Sequence, residues 1–155
     1  MSNYIHNSQA NKDKGSASEK EFAEFFKDKI VRKSTTQEDM VLHFDYVVNA
    51  GETELRTVDV KSGNKNPGIL RVEITNRMGK KGWGFGQADY IVYNQETEWI
   101  WVKRTELIKT LEEHTTKERG QFGSLYRYWF QKGSQAVLSF VNIHDIKKGV
   151  IIVGK

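Results

Sequence analysis

The stretch TELRTVDVK at residues 53–61 alternates between polar and apolar side chains with a period of two. Successive side chains of a β-strand point to opposite faces, so Val58 and Val60 share one face while Asp59 and Lys61 share the other. We therefore predict a strand over residues 53–61 in which Val60 turns into the core. On the other face of this strand a carboxylate and an amine project side by side.

A second strand is predicted just before it, over residues 40–48, with a turn at residues 49–52. If the two strands pair as a hairpin, Asp45 approaches Asp59 on the same face. Two carboxylates that converge repel each other unless a cation lies between them. Oxygen ligands without thiolates or clustered histidines favour Mg²⁺ or Mn²⁺. The alternative is an ordinary exposed Asp–Lys pair on a solvated strand.

The remaining periodicity predicts the rest of the fold. Apolar residues at helical spacing predict a first helix over residues 18–31, with Ser18 and Glu21 as a capping box. Further strands are predicted over residues 69–75, 88–93, 98–102, 137–143 and 150–153, with a helix over 104–113 and a short aromatic helix as one interpretation of 124–131. Residues 1–16 predict a flexible N-terminal arm. Residues 17–155 predict a single α/β domain in which helices flank a mixed β-sheet.

The composition narrows the class of protein. The 155 residues include no cysteine, which excludes a disulfide framework, a thiolate zinc site and a cysteine nucleophile. A count of 24 basic and 20 acidic residues gives a net charge of +4, and 12% aromatic residues favour a packed fold over disorder. No apolar run reaches the roughly 20 residues of a membrane helix, and no secretory signal is visible. We therefore expect a cytoplasmic protein with no membrane partner.

The spacing of these acids is similar to a known signature. Asp45, a gap of 13 residues and then Asp59-Val60-Lys61 resemble the motif of the PD-(D/E)XK nuclease superfamily. The segment KGSASEKEF at residues 14–22 resembles the start of archaeal-type Holliday-junction resolvases, in which a helix carries a glutamate. By that resemblance Glu19 matches the helix carboxylate that joins the metal site. A solvent-facing glutamate is the alternative, and the resemblance covers residues 14–61 only.

This resemblance implies a restriction-endonuclease-like fold and a Mg²⁺-dependent DNA endonuclease in which Mn²⁺ can substitute. Asp45, Asp59 and the backbone carbonyl of Val60 would bind the ion, and Glu19 would join them directly or through water. Lys61 would help to position a water for in-line attack, which leaves a 5′-phosphate and a 3′-hydroxyl. Because one domain carries one site, cutting both strands implies a homodimer or two encounters.

The segment that follows the acids is basic. Residues 61–86 contain six basic residues and one acidic residue, so the local excess is larger than the net charge of the chain. Lysine and arginine on phosphate supply affinity that does not depend on sequence. The candidate DNA contacts are Lys65, Arg71, Arg77, Lys80, Lys81, Trp83 and Gln87. A solvated basic loop is the alternative.

Several neighbouring features have open interpretations. The glycine-rich residues 82–86 are either a flexible DNA-contacting loop or a tight turn that packs two aromatic rings. Glu73 and Asp89 are further residues that could approach the site. His43 would share the strand face of Asp45, although a surface histidine is the preferred interpretation. The aromatic residues within 125–130 could stack nucleotides, but core or a dimer interface is favoured.

The sequence leaves the substrate open. A structure-selective enzyme similar to junction resolvases, a sequence-specific restriction or homing-type enzyme and an RNA nuclease all use such a site. A DNA-binding protein with a degenerate nuclease site is the non-catalytic alternative. The resemblance is also compatible with a nuclease encoded by a phage or a mobile element.

Overall fold

Two β-sheets and three α-helices make up the part of the chain that the structure describes. The computed structural model describes the backbone of residues 2–51 and 54–155, and the side chains of residues 14–51 and 54–155. The helices are α1 (Ser2–Phe25), α2 (Thr36–Leu42) and α3 (Arg104–His114). The strands are β1 (Ile30–Lys33), β2 (Tyr46–Asn49), β3 (Leu55–Ser62), β4 (Ile69–Thr75), β5 (Tyr90–Asn94), β6 (Glu98–Lys103), β7 (Trp129–Phe130), β8 (Val137–Asn142) and β9 (Val150–Gly154).

The larger sheet has six strands in the order β1-β2-β3-β5-β6-β9. Neighbouring strands are antiparallel except β3 and β5, which are parallel, so the sheet is mixed. β2 and β3 form a hairpin in which Tyr46 lies opposite Val58. The predicted α/β class with a mixed sheet is therefore confirmed. Glu52 and Thr53, which belong to the predicted turn and strand start, lie outside the described residues.

Helix α1 covers one face of the larger sheet. Phe22 and Phe26, one helical turn apart, are buried against Trp99 and Trp101 of β6, with ring centroids between 5.2 and 5.7 Å apart. Aromatic pairs of this kind contribute about 0.5–1.5 kcal/mol each beyond the area they bury. Val60 of β3 joins the same cluster. Because the valine face of β3 points at α1, its acidic face points to the other side of the sheet.

The other face of the larger sheet packs against α3 and the smaller sheet, whose strand order is β4-β8-β7. Leu70 and Val72 of β4 are fully buried in this second core. The alternating residues Arg71 and Glu73 therefore lie on the opposite face of the smaller sheet. β4 follows β3 directly in the chain, so the strand that carries Lys61 leads into the second sheet.

Helix α1 differs at both ends from the predicted helix over residues 18–31. It includes residues 2–16, which the sequence predicts as an arm, and it ends where residues 26–29 turn into β1. The apolar periodicity in the sequence begins at Phe22, which packs on the sheet. It therefore identifies this part of α1 and misses the polar sequence before it.

The predicted capping box of this helix is also wrong, because Ser18 and Glu21 lie inside α1. The side-chain amide of Asn94 donates hydrogen bonds to the Ser18 hydroxyl at 3.2 Å and to the Glu21 carboxylate at 2.7 Å. Lys155 forms an ion pair with Glu21 at 2.8 Å. These two residues thus attach α1 to the ends of β5 and β9 instead of starting the helix.

Residues 40–48 do not form the predicted single strand, because the chain is helical up to Leu42. A capping box starts α2: Thr35 Oγ1 accepts from the Glu38 N–H at 3.1 Å, and Glu38 Oε1 accepts from the Thr35 N–H at 2.9 Å. His43 ends the helix in the left-handed conformation with φ of 57°, so it does not share a strand face with Asp45. None of the side chains of α2, all of which are described, is buried. The apolar residues at its end therefore mimic a strand.

Residues 124–131 form turns and the short strand β7, and the aromatic helix proposed for them is wrong. Tyr126 adopts φ of 60°, and its hydroxyl donates to Asp145 at 2.6 Å and accepts from the Asn142 N–H at 3.2 Å. The other predicted strands and the helix over residues 104–113 are confirmed to within two residues at each end. Among the described helices, none has the length and apolar character needed to cross a membrane.

Candidate active site

Asp45 and Asp59 come together on one face of the β2–β3 hairpin. Asp45 directly precedes β2, and its N–H donates to the Val58 carbonyl at 2.8 Å, which continues the strand pairing. Its carboxylate oxygen Oδ2 accepts a 2.7 Å hydrogen bond from the Val60 N–H. Asp45 is 5% exposed and Asp59 is 3% exposed, and repulsion from Asp45 helps to raise the pKa of Asp59. The structure therefore brings both predicted acids into one buried place.

Asp59 is a buried carboxyl with one unsatisfied oxygen. Oδ1 lies 3.1 Å from the Lys61 ammonium, whereas Oδ2 is buried without a hydrogen-bond partner among the described residues. Burial raises the pKa of Asp59 well above its usual value; Lys61 opposes this shift and Asp45 adds to it. A buried polar atom without a partner costs about 1–3 kcal/mol. This oxygen is therefore a point where a bound cation would be accommodated.

Glu19 and Asp39 bring two further carboxyls to Asp45. Burial first, and then repulsion and hydrogen bonding with Asp45, raise the pKa of Glu19 from 4.5 to about 7. Asp39 of α2 has a raised pKa mainly because neighbouring protein atoms remove part of the water around its carboxyl, with Asp45 as the next cause. The Tyr46 hydroxyl donates to the Glu19 backbone carbonyl at 3.2 Å, which ties α1 to β2 beside these acids. Glu19 therefore belongs to the acidic group, as the sequence resemblance implies.

Lys61 lies between Asp59 and an aromatic ring. Its ammonium is 4.9 Å from the centroid of the Trp83 ring, and its side chain is 23% exposed. Burial lowers the pKa of Lys61, but the charges of Asp59 and Asp45 outweigh burial and hold that pKa above its usual value. Lys61 is therefore protonated at neutral pH. Its ammonium group can donate hydrogen bonds and stabilise negative charge, but it has no free lone pair with which to act as a base.

A cleft of about 480 Å³ opens beside Lys61 and has two kinds of lining. One part is charged and consists of Glu19, Lys61, Arg71, Glu73 and Arg77. The other part is mostly aromatic or aliphatic and consists of Phe122, Trp129, Ala136 and Leu138, together with the amide side chain of Gln131. The charged lining comes from α1, β3, β4 and the turn after β4, whereas the apolar lining comes from β7, β8 and the loops beside them. The cleft thus joins the acidic group to the smaller sheet.

Some of the basic residues predicted to contact DNA lie in the cleft, and others lie outside it. Arg71 and Arg77 line the cleft. Lys65, Lys80 and Lys81 are exposed and lie outside its lining. The basic segment therefore offers two guanidinium groups inside the cleft and three ammonium groups on the adjoining surface.

The glycine-rich residues 82–86 form a tight turn, which decides between the two interpretations that the sequence allows. Trp83–Phe85 is a single 3₁₀ turn, and Trp83 is only 6% exposed. A Cβ on Gly82 would lie 2.4 Å from the backbone oxygen of Glu73, so only glycine lets this turn pack so closely on β4. Trp83 consequently lies beneath Lys61, largely buried, and lines the same cleft.

Gln87 and Asp89 lie at the start of β3 and not at the cleft. Asp89 Oδ2 accepts hydrogen bonds from the Thr57 N–H at 2.8 Å and from the Thr57 hydroxyl at 3.2 Å. The Gln87 N–H donates to the Leu42 carbonyl at 2.8 Å, and neither residue lines the cleft. Glu73, by contrast, does line it, and its carboxylate accepts a hydrogen bond from the Trp83 N–H at 3.2 Å.

The donor atoms fit a divalent cation only in part. Within the described residues, no three His, Asp or Glu side chains form a group arranged to hold a metal ion. Asp45 and Asp59 still offer hard oxygen donors, including the buried oxygen of Asp59 that has no partner in the described part of the chain. Mg²⁺ is commonly held by one or two carboxylates and keeps several waters. The site therefore fits Mg²⁺ bound by two carboxylates better than a preassembled site of three.

Comparison with known proteins adds no relative. No protein-family model matches the chain, and no curated protein or solved structure matches it. The site must therefore be interpreted from its own chemistry.

The sequence alone does not identify Asp39 or the apolar lining of the cleft. Asp39 reaches Asp45 only because α2 folds back beside β2, and a polar residue on a short helix carries no separate signal. Phe122 and Trp129 follow Lys61 by about 60 residues and reach the cleft through the smaller sheet. An aromatic cluster near residues 125–130 is visible in the sequence, but its position beside the acids is a tertiary effect.

Proposed function

We propose that the protein is a Mg²⁺-dependent endonuclease of the PD-(D/E)XK type that hydrolyses phosphodiester bonds of DNA, with Mn²⁺ as a substitute. The observation that carries this proposal is the buried Asp59–Lys61 pair beside Asp45, with an unsatisfied Asp59 oxygen. Burial raises the pKa of Asp59 and of Glu19, which is consistent with a site whose acids are costly to charge without a ligand. Groups of this kind are concentrated at functional sites, where a ligand compensates for their burial.

The site residues have distinct roles in this proposal. Asp45 and Asp59, with the backbone carbonyl of Val60, would hold the ion, and Glu19 would bind it directly or through water. The bound ion supplies a Lewis acid that lowers the pKa of a water molecule and neutralises phosphate charge. Lys61, protonated and fixed between Asp59 and Trp83, would orient the attacking water or stabilise the phosphate oxygens as their charge increases. The expected products carry a 5′-phosphate and a 3′-hydroxyl.

The basic residues support a polyanionic substrate. Arg71 and Arg77 lie in the same cleft as Lys61, and Lys80 and Lys81 are exposed on the surface that follows β4. Guanidinium groups bind phosphate in a bidentate manner, whereas exposed lysines add affinity that falls with salt. We therefore propose that the DNA backbone enters along these groups. Such an enzyme would act in the cytoplasm, where nucleic acid and Mg²⁺ are both present.

The test is cleavage by purified protein. Supercoiled plasmid, linear duplex, flap, junction and RNA substrates are incubated with Mg²⁺, Mn²⁺ or EDTA, and the products are separated on gels. We expect wild type to cut with Mg²⁺, and Asp59→Asn and Lys61→Ala to lose at least about 100-fold of the rate. Products that DNA ligase reseals would identify 5′-phosphate and 3′-hydroxyl ends.

Matched control variants distinguish cutting by the proposed site from cutting by a contaminating nuclease. Asp28→Asn and Lys109→Ala change an exposed acid and an exposed lysine away from the cleft, so both should cut like wild type. Equal cutting by wild type and Asp59→Asn would contradict the assignment of the site. Metal-independent tight binding with no cutting would favour the alternative, a DNA-binding protein with a degenerate site. Cutting of RNA in preference to DNA would favour the RNA nuclease.

We also propose that two copies act together, because β9 is an edge strand with exposed apolar side chains. Ile151 and Ile152 are 52% and 54% exposed, and no described strand pairs with the outer side of β9. Its inner side pairs with β6, so that Ile152 lies opposite Ile100. Exposed edge strands of this kind readily add another strand. Antiparallel pairing of β9 with β9 of a second copy would give a symmetric homodimer.

A further inference from the structure

The cleft beside Lys61 has a second half that the proposed chemistry does not use. Phe122 and Trp129 form an edge-to-face pair with ring centroids 5.1 Å apart and an interplanar angle of 87°. Phe122 is 57% exposed, and Trp129 is half-buried. Both line the cleft, together with Leu138 and the amide side chain of Gln131. An aromatic surface in the same cleft as Lys61 and Arg71 suits a ligand that has a flat apolar part and an anionic part.

The strand register fixes this arrangement. Trp129 of β7 lies opposite Leu138 of β8, which in turn lies opposite Glu73 of β4. Directly opposed residues project from the same face of a sheet, so the tryptophan and Glu73 share the face that forms the cleft wall. Arg71, two residues before Glu73, projects from this face as well. One continuous surface therefore runs from the guanidinium group to the aromatic pair.

We propose that this cleft binds one unpaired nucleotide, with its base against the Trp129–Phe122 pair and its phosphate toward Lys61 and Arg71. The enzyme would consequently select DNA that contains single-stranded or unpaired nucleotides over intact duplex. This inference rests on the proposed function, since the bound nucleotide belongs to the DNA that is cut.

Size and chemistry both favour an unpaired nucleotide. A volume of about 480 Å³ is within the range of sites that hold one small molecule. In a duplex the faces of the bases are stacked on their neighbours, so Trp129 could not contact them unless a nucleotide left the helix. An unpaired base stacks on an aromatic side chain whatever its sequence, which suits selection by structure.

The test measures binding separately from cutting. Fluorescence anisotropy follows a labelled oligo-dT strand and a duplex of equal length, in EDTA and in Ca²⁺, with gels to verify that the DNA stays intact. We expect wild type to bind the single strand at least about tenfold more tightly than the duplex. Trp129→Ala should weaken single-strand binding by about 5- to 100-fold and leave duplex binding unchanged.

Two further variants keep the test decisive. Phe130→Ala removes the adjacent aromatic residue, which contacts Arg119 instead of the cleft, and should bind both substrates like wild type. If circular dichroism shows that Trp129→Ala does not fold, Phe122→Ala takes its place, because Phe122 is largely exposed. Equal binding of single strand and duplex, or wild-type binding by the folded cleft variant, would overturn the inference.

Failure of the inference and failure of the nuclease proposal give different results. Selective binding of single strands that depends on Trp129, without any Mg²⁺-dependent cutting, supports the nucleotide site and contradicts the nuclease. Mg²⁺-dependent cutting that Asp59→Asn abolishes, with no preference for unpaired DNA and no effect at Trp129, supports the nuclease and overturns the nucleotide site.

Discussion

The carboxylate of Asp45 accepts a 2.7 Å hydrogen bond from the backbone N–H of Val60. The same aspartate therefore holds the backbone of β3 in place and presents a charge beside Asp59. Val60 is the residue between Asp59 and Lys61, so this single bond fixes the strand on which both stand. A structural role and a proposed functional role meet in one side chain, and substitutions can separate them.

Asp45→Ala should destabilise the protein more than Asp45→Asn. The alanine variant leaves the buried Val60 N–H without its acceptor, which costs about 1–3 kcal/mol, whereas asparagine keeps an acceptor oxygen. Urea unfolding followed by circular dichroism measures both free energies of unfolding. Both variants should lose Mg²⁺-dependent cutting. Equal stability of the two variants would mean that this hydrogen bond does not hold the strand.

Asp59→Asn should stabilise the metal-free protein while abolishing cutting. Because the pKa of Asp59 is raised, the folded state keeps a proton that the unfolded state releases, and stability falls as pH rises above the unfolded pKa. A neutral amide removes this cost at pH 8. We therefore expect the midpoint of thermal unfolding in EDTA at pH 8 to rise. Asp28→Asn should leave the midpoint unchanged, and a lower midpoint for Asp59→Asn would indicate a purely structural aspartate.

Glu19→Gln should change how stability depends on pH. The carboxyl of Glu19 has a pKa of about 7 in the folded protein and about 4.5 when unfolded. The unfolded chain loses this proton first, so the stability of the wild type falls as pH rises from about 4.5 to 7. The variant lacks that decline. Thermal midpoints in EDTA between pH 5 and pH 8 should therefore favour the variant increasingly, and a constant offset at every pH would contradict the shift.

Much of the fold can be predicted where apolar residues recur with a clear helical or strand period. The strand around Asp59, β4 and α3 each bury one clear face, and the apolar period finds them within two residues. The helix α2 cannot be found in this way, because it buries no described side chain and depends on the local bonds of Thr35 and Glu38. The polar turns at the start of α1 carry no apolar period in the sequence.

Two acids of the candidate site can be predicted from the sequence, whereas the residues that surround them cannot. Asp45 directly precedes β2 and Asp59 lies on the paired strand β3, so the hairpin alone brings them together. Asp39 depends on the direction in which His43 turns the chain, which no local pattern specifies. Trp129 reaches the cleft because β4 pairs with β8 in the smaller sheet and β8 pairs with β7, which carries Trp129. This pairing is set by tertiary packing.

Replacing Lys80 and Lys81 together by alanine should weaken DNA binding and reduce its dependence on salt. Each lysine–phosphate contact contributes about 0.9 to the slope of log affinity against log salt for duplex DNA, and about 0.7 for single strands. The double variant should therefore lower the slope by up to about 1.8 for duplex. Lys147 and Lys148 form a matched exposed pair outside the cleft lining, and their replacement should leave the slope unchanged.

Ile152→Lys should prevent self-association. The side chain is 54% exposed on the edge strand β9, where a charge opposes pairing with a second copy. Light scattering after size exclusion should give the mass of a dimer for wild type and of a monomer for the variant. Leu55→Lys places the same charge at a residue that is 55% exposed on β3 and should remain dimeric. A monomeric wild type at high concentration would contradict the proposed homodimer.

The two linings of the cleft are supplied by separate parts of the chain. The residues proposed for the reaction are therefore separate from those proposed to select the substrate. Glu19 stands on α1, Asp45 directly before β2, and Asp59 and Lys61 on β3, whereas the aromatic pair stands on and beside β7. If the proposed function holds, changes in residues 121–131 alter which nucleic acid is accepted without disturbing the groups proposed to break the bond. An engineer who wishes to retarget the protein would begin at Phe122 and Trp129 and leave the β2–β3 hairpin untouched.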